Sequence, residues 1–122
     1  MTVSTKVAPP NSVLLIEDSS GGEVPVSMSR SLVAATASCI AIGCRPEDDG
    51  ETEISLGRSQ EMGGGEQLVF EGSLRTPSRR LAVRTVYGAT LLDMTVQAAE
   101  TTVRIWANDP SEPDRIGIGI IG

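Results

Sequence analysis

From Leu81 to Gly122 the chain reads LAVRTVYGAT LLDMTVQAAE TTVRIWANDP SEPDRIGIGI IG. Taken two residues at a time, this stretch yields four sets: Leu81, Val83 and Thr85; Leu92, Met94 and Val96; Val103 and Ile105; Ile116, Ile118 and Ile120. A period of two is what a strand with one dry face produces. The intervening positions, among them Arg84, Asp93, Thr95, Gln97, Thr102, Arg104 and Arg115, are polar, so the other face is expected to be wet. The simplest arrangement is an antiparallel meander of four strands, its apolar side laid against another part of the same chain.

Upstream, Val13 to Glu17 is a short aliphatic run that ends in the turn residues Asp18-Ser19-Ser20-Gly21-Gly22. Glu23 to Met28 contains Pro25, which cannot donate to a ladder, so any strand here belongs at a sheet edge. Ser29 to Val33 is read as at most one helical turn, followed by a strand from Ala35 to Gly43. Asp48-Asp49-Gly50 signals a hairpin that returns as Glu51 to Leu56, and Gly63-Gly64-Gly65 breaks the chain. Gln67 to Gly72 gives a further strand before the connector Arg75 to Arg80. Residues 1–12, polar and carrying Pro9-Pro10, are read as a flexible N-terminal arm; residues 13–122 are read as a single domain. Short strands at this spacing predict an all-β antiparallel β-sandwich, jelly-roll-like, of seven to nine strands.

Composition narrows the chemistry. The chain has no histidine, which removes the Ser-His-Asp and Cys-His arrangements and the commonest general base near neutral pH. Cys39 and Cys44, if joined by extended chain, lie about 16 Å apart on opposite faces, too far for a disulfide, and are read as free buried thiols. No apolar run is long enough to span a bilayer, and residues 1–10 lack the core of a secretory signal, so a cytoplasmic protein without membrane attachment is expected. The net charge of −6 argues against nucleic acid as a partner. It is unevenly spread: eight carboxylates face Arg58 alone between Glu47 and Glu71, whereas five arginines oppose Asp93 and Glu100 between Gly72 and Arg104.

Several groups invite a functional reading. The run Glu47, Asp48, Asp49, Glu51, Glu53 does not match the spacing of a calcium loop and is read as a solvated hairpin tip able to present charge to a basic protein. Arg75, Arg79, Arg80 and Arg84 form a basic cluster that could hold a phosphate or carboxylate, but it is read first as a solvated connector paired with that acidic hairpin. Trp106, which parity turns away from Val103 and Ile105, sits with Arg104 as the most plausible anchor for a protein partner; the competing reading ends the strand at Ile105 and folds the ring over the core edge. No catalytic residue, metal ligand or cofactor is assigned. A binding module that uses Glu47, Asp48, Asp49, Arg104 and Trp106 therefore leads over two alternatives. One is a self-associating protein paired through an exposed strand edge; the other is a small carboxylate-based hydrolase or ligand-binding protein.

The C-terminal part also resembles the competence protein J family, inhibitors of the DNA-entry nuclease. The resemblance rests on the connector before Leu81-Ala82-Val83, the bend at Gly88, the alternating strand Leu92 to Val96, the segment Thr102-Val103-Arg104-Ile105-Trp106, and a closing loop and strand. It covers the final third to half of the chain. It implies a small cytoplasmic β-sandwich that binds a protein, and it carries no inhibitory residue onto this sequence.

Overall fold

A computed structural model describes residues 2–28, 30–62 and 66–121. Ser29, expected to begin a helical turn, and the Gly63–Gly65 break lie outside them. The described residues form ten strands and three short 3-10 turns. The strands are β1 Val3–Val7, β2 Val13–Asp18, β3 Val33–Ala35, β4 Cys39–Gly43, β5 Thr52–Arg58, β6 Gln67–Arg75, β7 Arg80–Thr85, β8 Thr90–Thr95, β9 Glu100–Ala107 and β10 Arg115–Ile121. They assemble into two five-stranded sheets, ordered β1-β5-β10-β9-β6 (sheet I) and β3-β4-β2-β7-β8 (sheet II). All pairings are antiparallel except β5 with β10.

The inward sets are the ones the alternation picks out. Leu81, Val83, Val103, Ile105, Ile116 and Ile118 are fully buried, and they meet Leu14, Ile16, Ile40, Ile42, Ile54 and Leu56 in one core between the sheets. With one Phe, one Tyr and one Trp in the chain, this interior is filled by aliphatic side chains, which suit the pleated inner faces of a sandwich.

The expected four-strand meander, however, is divided. β7 and β8 pair in sheet II, β9 and β10 pair in sheet I, and residues 96–99 cross from one sheet to the other. Val96 is buried at the crossing, and the Thr76 hydroxyl donates to the Ala98 carbonyl at 2.8 Å while the Thr76 amide donates to Ala99 O at 2.8 Å. Alternation says that each strand has one dry face; it does not say which sheet holds the strand.

The Asp48-Asp49-Gly50 hairpin is corrected for the same reason. β4 lies in sheet II and β5 in sheet I, so Glu47–Asp49 is a 3-10 turn on a crossover, with Gly50 at φ 125°. The single strand expected over 35–43 is instead a tight hairpin of β3 and β4. At its turn Thr36 Oγ1 accepts from the Ser38 and Cys39 amides and donates to Glu23 O at 2.6 Å. Within the expected arm, Val3–Val7 pairs with β5, with Val3, Thr5 and Val7 opposite Leu56, Ile54 and Thr52; Thr5 and Val7 are half-buried, Val7 against the core, while Val3 is exposed. Residues 23–28 form no strand: Pro25 breaks the ladder, and Met28 covers Leu15, Cys39 and Ala41 on the outer face of sheet II. No described helix is long and apolar enough to cross a membrane.

Candidate functional site

Three connections meet at one end of the sandwich: residues 8–12 between β1 and β2, 44–51 between β4 and β5, and 108–114 between β9 and β10. Backbone bonds tie them together. Cys44 N donates to Ser12 O at 2.9 Å, Arg45 N to Pro113 O at 3.0 Å, and Glu53 N to Asp114 O at 2.8 Å. Asn108 braces the last loop, its side-chain oxygen accepting from the Asp114 and Arg115 amides and its Nδ2 donating to Asp114 Oδ1 at 2.6 Å. Both acidic turns are thereby held in place before any partner arrives.

Glu47, Asp48 and Asp49 are exposed on the crossover turn. On the 108–114 connection, Asp109 Oδ1 accepts from the amides of Glu112 (2.8 Å) and Ser111 (2.9 Å), which holds its carboxyl below the ordinary value. Arg45 donates to Asp49 O and lies 3.4 Å from Asp114 Oδ2, and Lys6 and Arg115 are further cations at this end. Among the described residues, Glu47, Asp48, Asp49, Asp109 and Glu112 make no ion pair. The expected acidic tip is thus larger than its sequence run, since the β9–β10 loop adds to it. The signal was present in Asn108-Asp109-Pro110-Ser111-Glu112-Pro113-Asp114, whose spacing from Glu47 hid the proximity.

Arg104 and Trp106 occupy a second surface, the outer face of sheet I. β9 runs on to Ala107, so the strand does not end at Ile105. Trp106 stands opposite Gly117 and Leu68, half-buried, and its ring lies so close over Gly119 that an added Cβ there would sit 2.8 Å from Cζ3. Ser59 and Met62 fold over the same face: Met62 lies above Gly57 and Gly117, and Ser59 Cα would be 2.9 Å from a Gly119 Cβ. Arg104 donates from Nε to Glu71 Oε1 at 2.8 Å and reaches Ser59 Oγ at 3.4 Å. The two candidate groups therefore do not form one constellation. They adjoin, because Asn108, two residues past Trp106, enters the acidic end.

The basic cluster is corrected. Arg80 pairs with Asp93 at 2.9 Å, and Arg84 lies 3.6 Å from the buried Glu17 while donating to Ser19 O at 2.8 Å. Both cations are thus neutralised within sheet II and do not reach the acidic turn, which lies on another connection.

Two cavities of about 290 Å³ accompany these surfaces. One is an open hollow at the acidic end lined by Lys6, Glu51, Glu53, Asp114 and Arg115; Arg115 pairs with Glu53 at 3.3 Å and Arg45 with Asp114 at 3.4 Å. The other, mostly apolar, lies at the opposite end against Val96 and Ile120. Among the described residues no three His, Cys, Asp or Glu side chains are grouped to hold a metal ion. Burial pushes the Cys39 thiol up to about 12, with the Glu17 carboxylate adding to the effect, and burial raises Cys44 as well. Neither is an activated nucleophile.

No family model and no curated protein matches the sequence. Two solved structures match the fold. The structure of ComJ from Bacillus subtilis, inhibitor of the DNA degrading activity of NucA, superposes with a TM-score of 0.73 over 98% of this chain and 95% of that one, at 9% identity. The crocagin biosynthetic gene J protein superposes with a TM-score of 0.61 over 98% of this chain and 94% of that one, at 14% identity. The likeness reaches well beyond the C-terminal half that carries the sequence resemblance, and at these identities it is one of architecture: the chain is a β-sandwich with the fold of ComJ.

Proposed function

We propose that this protein is a non-enzymatic, inhibitor-like binding module that docks its acidic end onto a basic protein, with the Trp106 and Arg104 surface as the adjoining wall. The observation that carries this reading is the set of five exposed carboxylates, Glu47, Asp48, Asp49, Asp109 and Glu112, that among the described residues make no ion pair while sitting on hydrogen-bonded turns. Uncompensated charge on a rigid surface steers encounter with an oppositely charged partner and loses little entropy on binding. The fold shared with an inhibitor of a nuclease supports the same role. The carboxylates around the open hollow are poor candidates for acid-base work, since Glu53 and Asp114 are already held by arginines.

The test is capture from the source cell at low salt by the wild-type chain and by the triple variant Glu47→Gln, Asp48→Asn, Asp49→Asn. A basic protein should be retained by the wild type, and the association rate with that protein, once purified, should fall about tenfold or more in the variant or at high salt. Retention unchanged by the variant and by salt would remove the acidic end from the interface.

A further inference from the structure

β1 is an edge strand whose one ladder partner is β5, and it reaches the rest of the chain through residues 8–12. That hinge is unusual. Pro9-Pro10 stiffens its first half, and the next two residues, Asn11 and Ser12, both sit in the left-handed region at φ 58°. Asn tolerates this conformation and Ser does so less well; two such non-glycine residues in succession store strain that an extended hinge would release. The turn survives because Ser12 N bonds to Pro9 O at 3.0 Å and Cys44 N bonds to Ser12 O at 2.9 Å.

We propose that β1 is exchangeable between two copies of this chain. In the exchanged dimer the hinge straightens at Pro10–Ser12, and β1 of each copy pairs with β5 of the other in the register Val3 to Leu56, Thr5 to Ile54 and Val7 to Thr52. Every β1 contact of the monomer is reproduced, so the balance is set by the hinge strain released and by what the two copies meet at their junction. The hinge emerges beside Glu47, whose Oε1 accepts from the Asn11 amide at 3.4 Å, so the two acidic ends come face to face. Their repulsion opposes the exchange at low ionic strength and is screened at high ionic strength. Exchange then covers the acidic end and competes with docking there; this last consequence rests on the function proposed above, whereas the exchange itself does not.

Ser4 and Ser55 are directly opposite across β1 and β5. The variant Ser4→Cys, Ser55→Cys, refolded at micromolar and at millimolar concentration and then oxidised, forms an intrachain disulfide in the monomer and interchain disulfides in the exchanged dimer. The covalent dimer on a non-reducing gel should rise with refolding concentration and with salt, above the background of Ser4→Cys alone. Adding Asn11→Gly and Ser12→Gly, which relieves the strain of the closed turn, should lower the dimer association constant by at least about tenfold. Solely intrachain disulfide at every concentration and salt overturns the proposal. Should the disulfide fail to form, sedimentation of the two chains without the introduced cysteines decides: a wild-type chain that stays monomeric at millimolar concentration, or a dimer that the glycine hinge does not weaken, overturns it equally. Either result leaves capture by the acidic end to be judged separately.

Discussion

Asp18 shows how a single buried acid is made tolerable. It is 1% exposed at the end of β2, and its two oxygens accept from the amides and hydroxyls of both Ser20 and Ser78. Burial on its own would raise this carboxyl, but the four hydrogen bonds outweigh it and hold the group below its ordinary value of 3.8. A carboxyl depressed in the folded state contributes stability above the ordinary value, and that contribution drains away as pH falls below it. Asp18→Asn should therefore cost about 2–3 kcal/mol at neutral pH, because an amide NH₂ would face serine donors, and the loss should shrink below about pH 4. Urea melts of both proteins at pH 7 and pH 3 measure this. Gly119 is a second decisive residue, since any Cβ there meets Trp106 on one side and the Ser59 backbone on the other. Gly119→Ala should destabilise by about 1–3 kcal/mol and shift the emission of Trp106, the single tryptophan, as its ring is displaced. An unchanged emission maximum and midpoint would show that the ring does not rest there.

Among the elements, the β3–β4 hairpin governs the long connection over sheet II. Thr36 closes the turn through the Ser38 and Cys39 amides and reaches across to Glu23 O, while the Ser38 hydroxyl accepts from Glu23 N at 2.8 Å. These bonds pin the first part of the 19–32 crossover and leave Val24 and Val26 in solvent. Thr36→Val keeps shape and removes the hydroxyl, so it should cost about 1–2 kcal/mol and speed amide exchange in residues 22–28. Exchange confined to its wild-type rate would place the anchor elsewhere. The acidic turn illustrates how an element's neighbours decide its meaning. Asp48-Asp49-Gly50 carries the chemistry of a hairpin, yet β4 finds β2 and β3, β5 finds β1 and β10, and the same three residues become a bridge between sheets.

At the scale of the whole molecule, the dry positions of the last forty residues, the absence of a histidine-based site and the free buried thiols were legible from residues alone, because side-chain period and composition are local properties. The division of the meander between two sheets, the joining of the 44–51 and 108–114 connections through Arg45, Pro113 and Asp114, and the seat of Trp106 on glycines were not, since each depends on residues far apart in the chain. β1 was hidden differently: Val3, Thr5 and Val7 alternate, but five polar-rich residues before a proline pair carry too little apolar pattern to be told from an arm. By itself, then, this amino-acid order determined that the protein would be a strand-built sandwich with an aliphatic interior and an unbalanced acidic surface, because the alternation of apolar side chains leaves a strand only one face to bury. Which strands became neighbours, and so which charges ended up side by side, was decided only in the folded molecule, where hydrogen-bonded edges choose partners that periodicity cannot name.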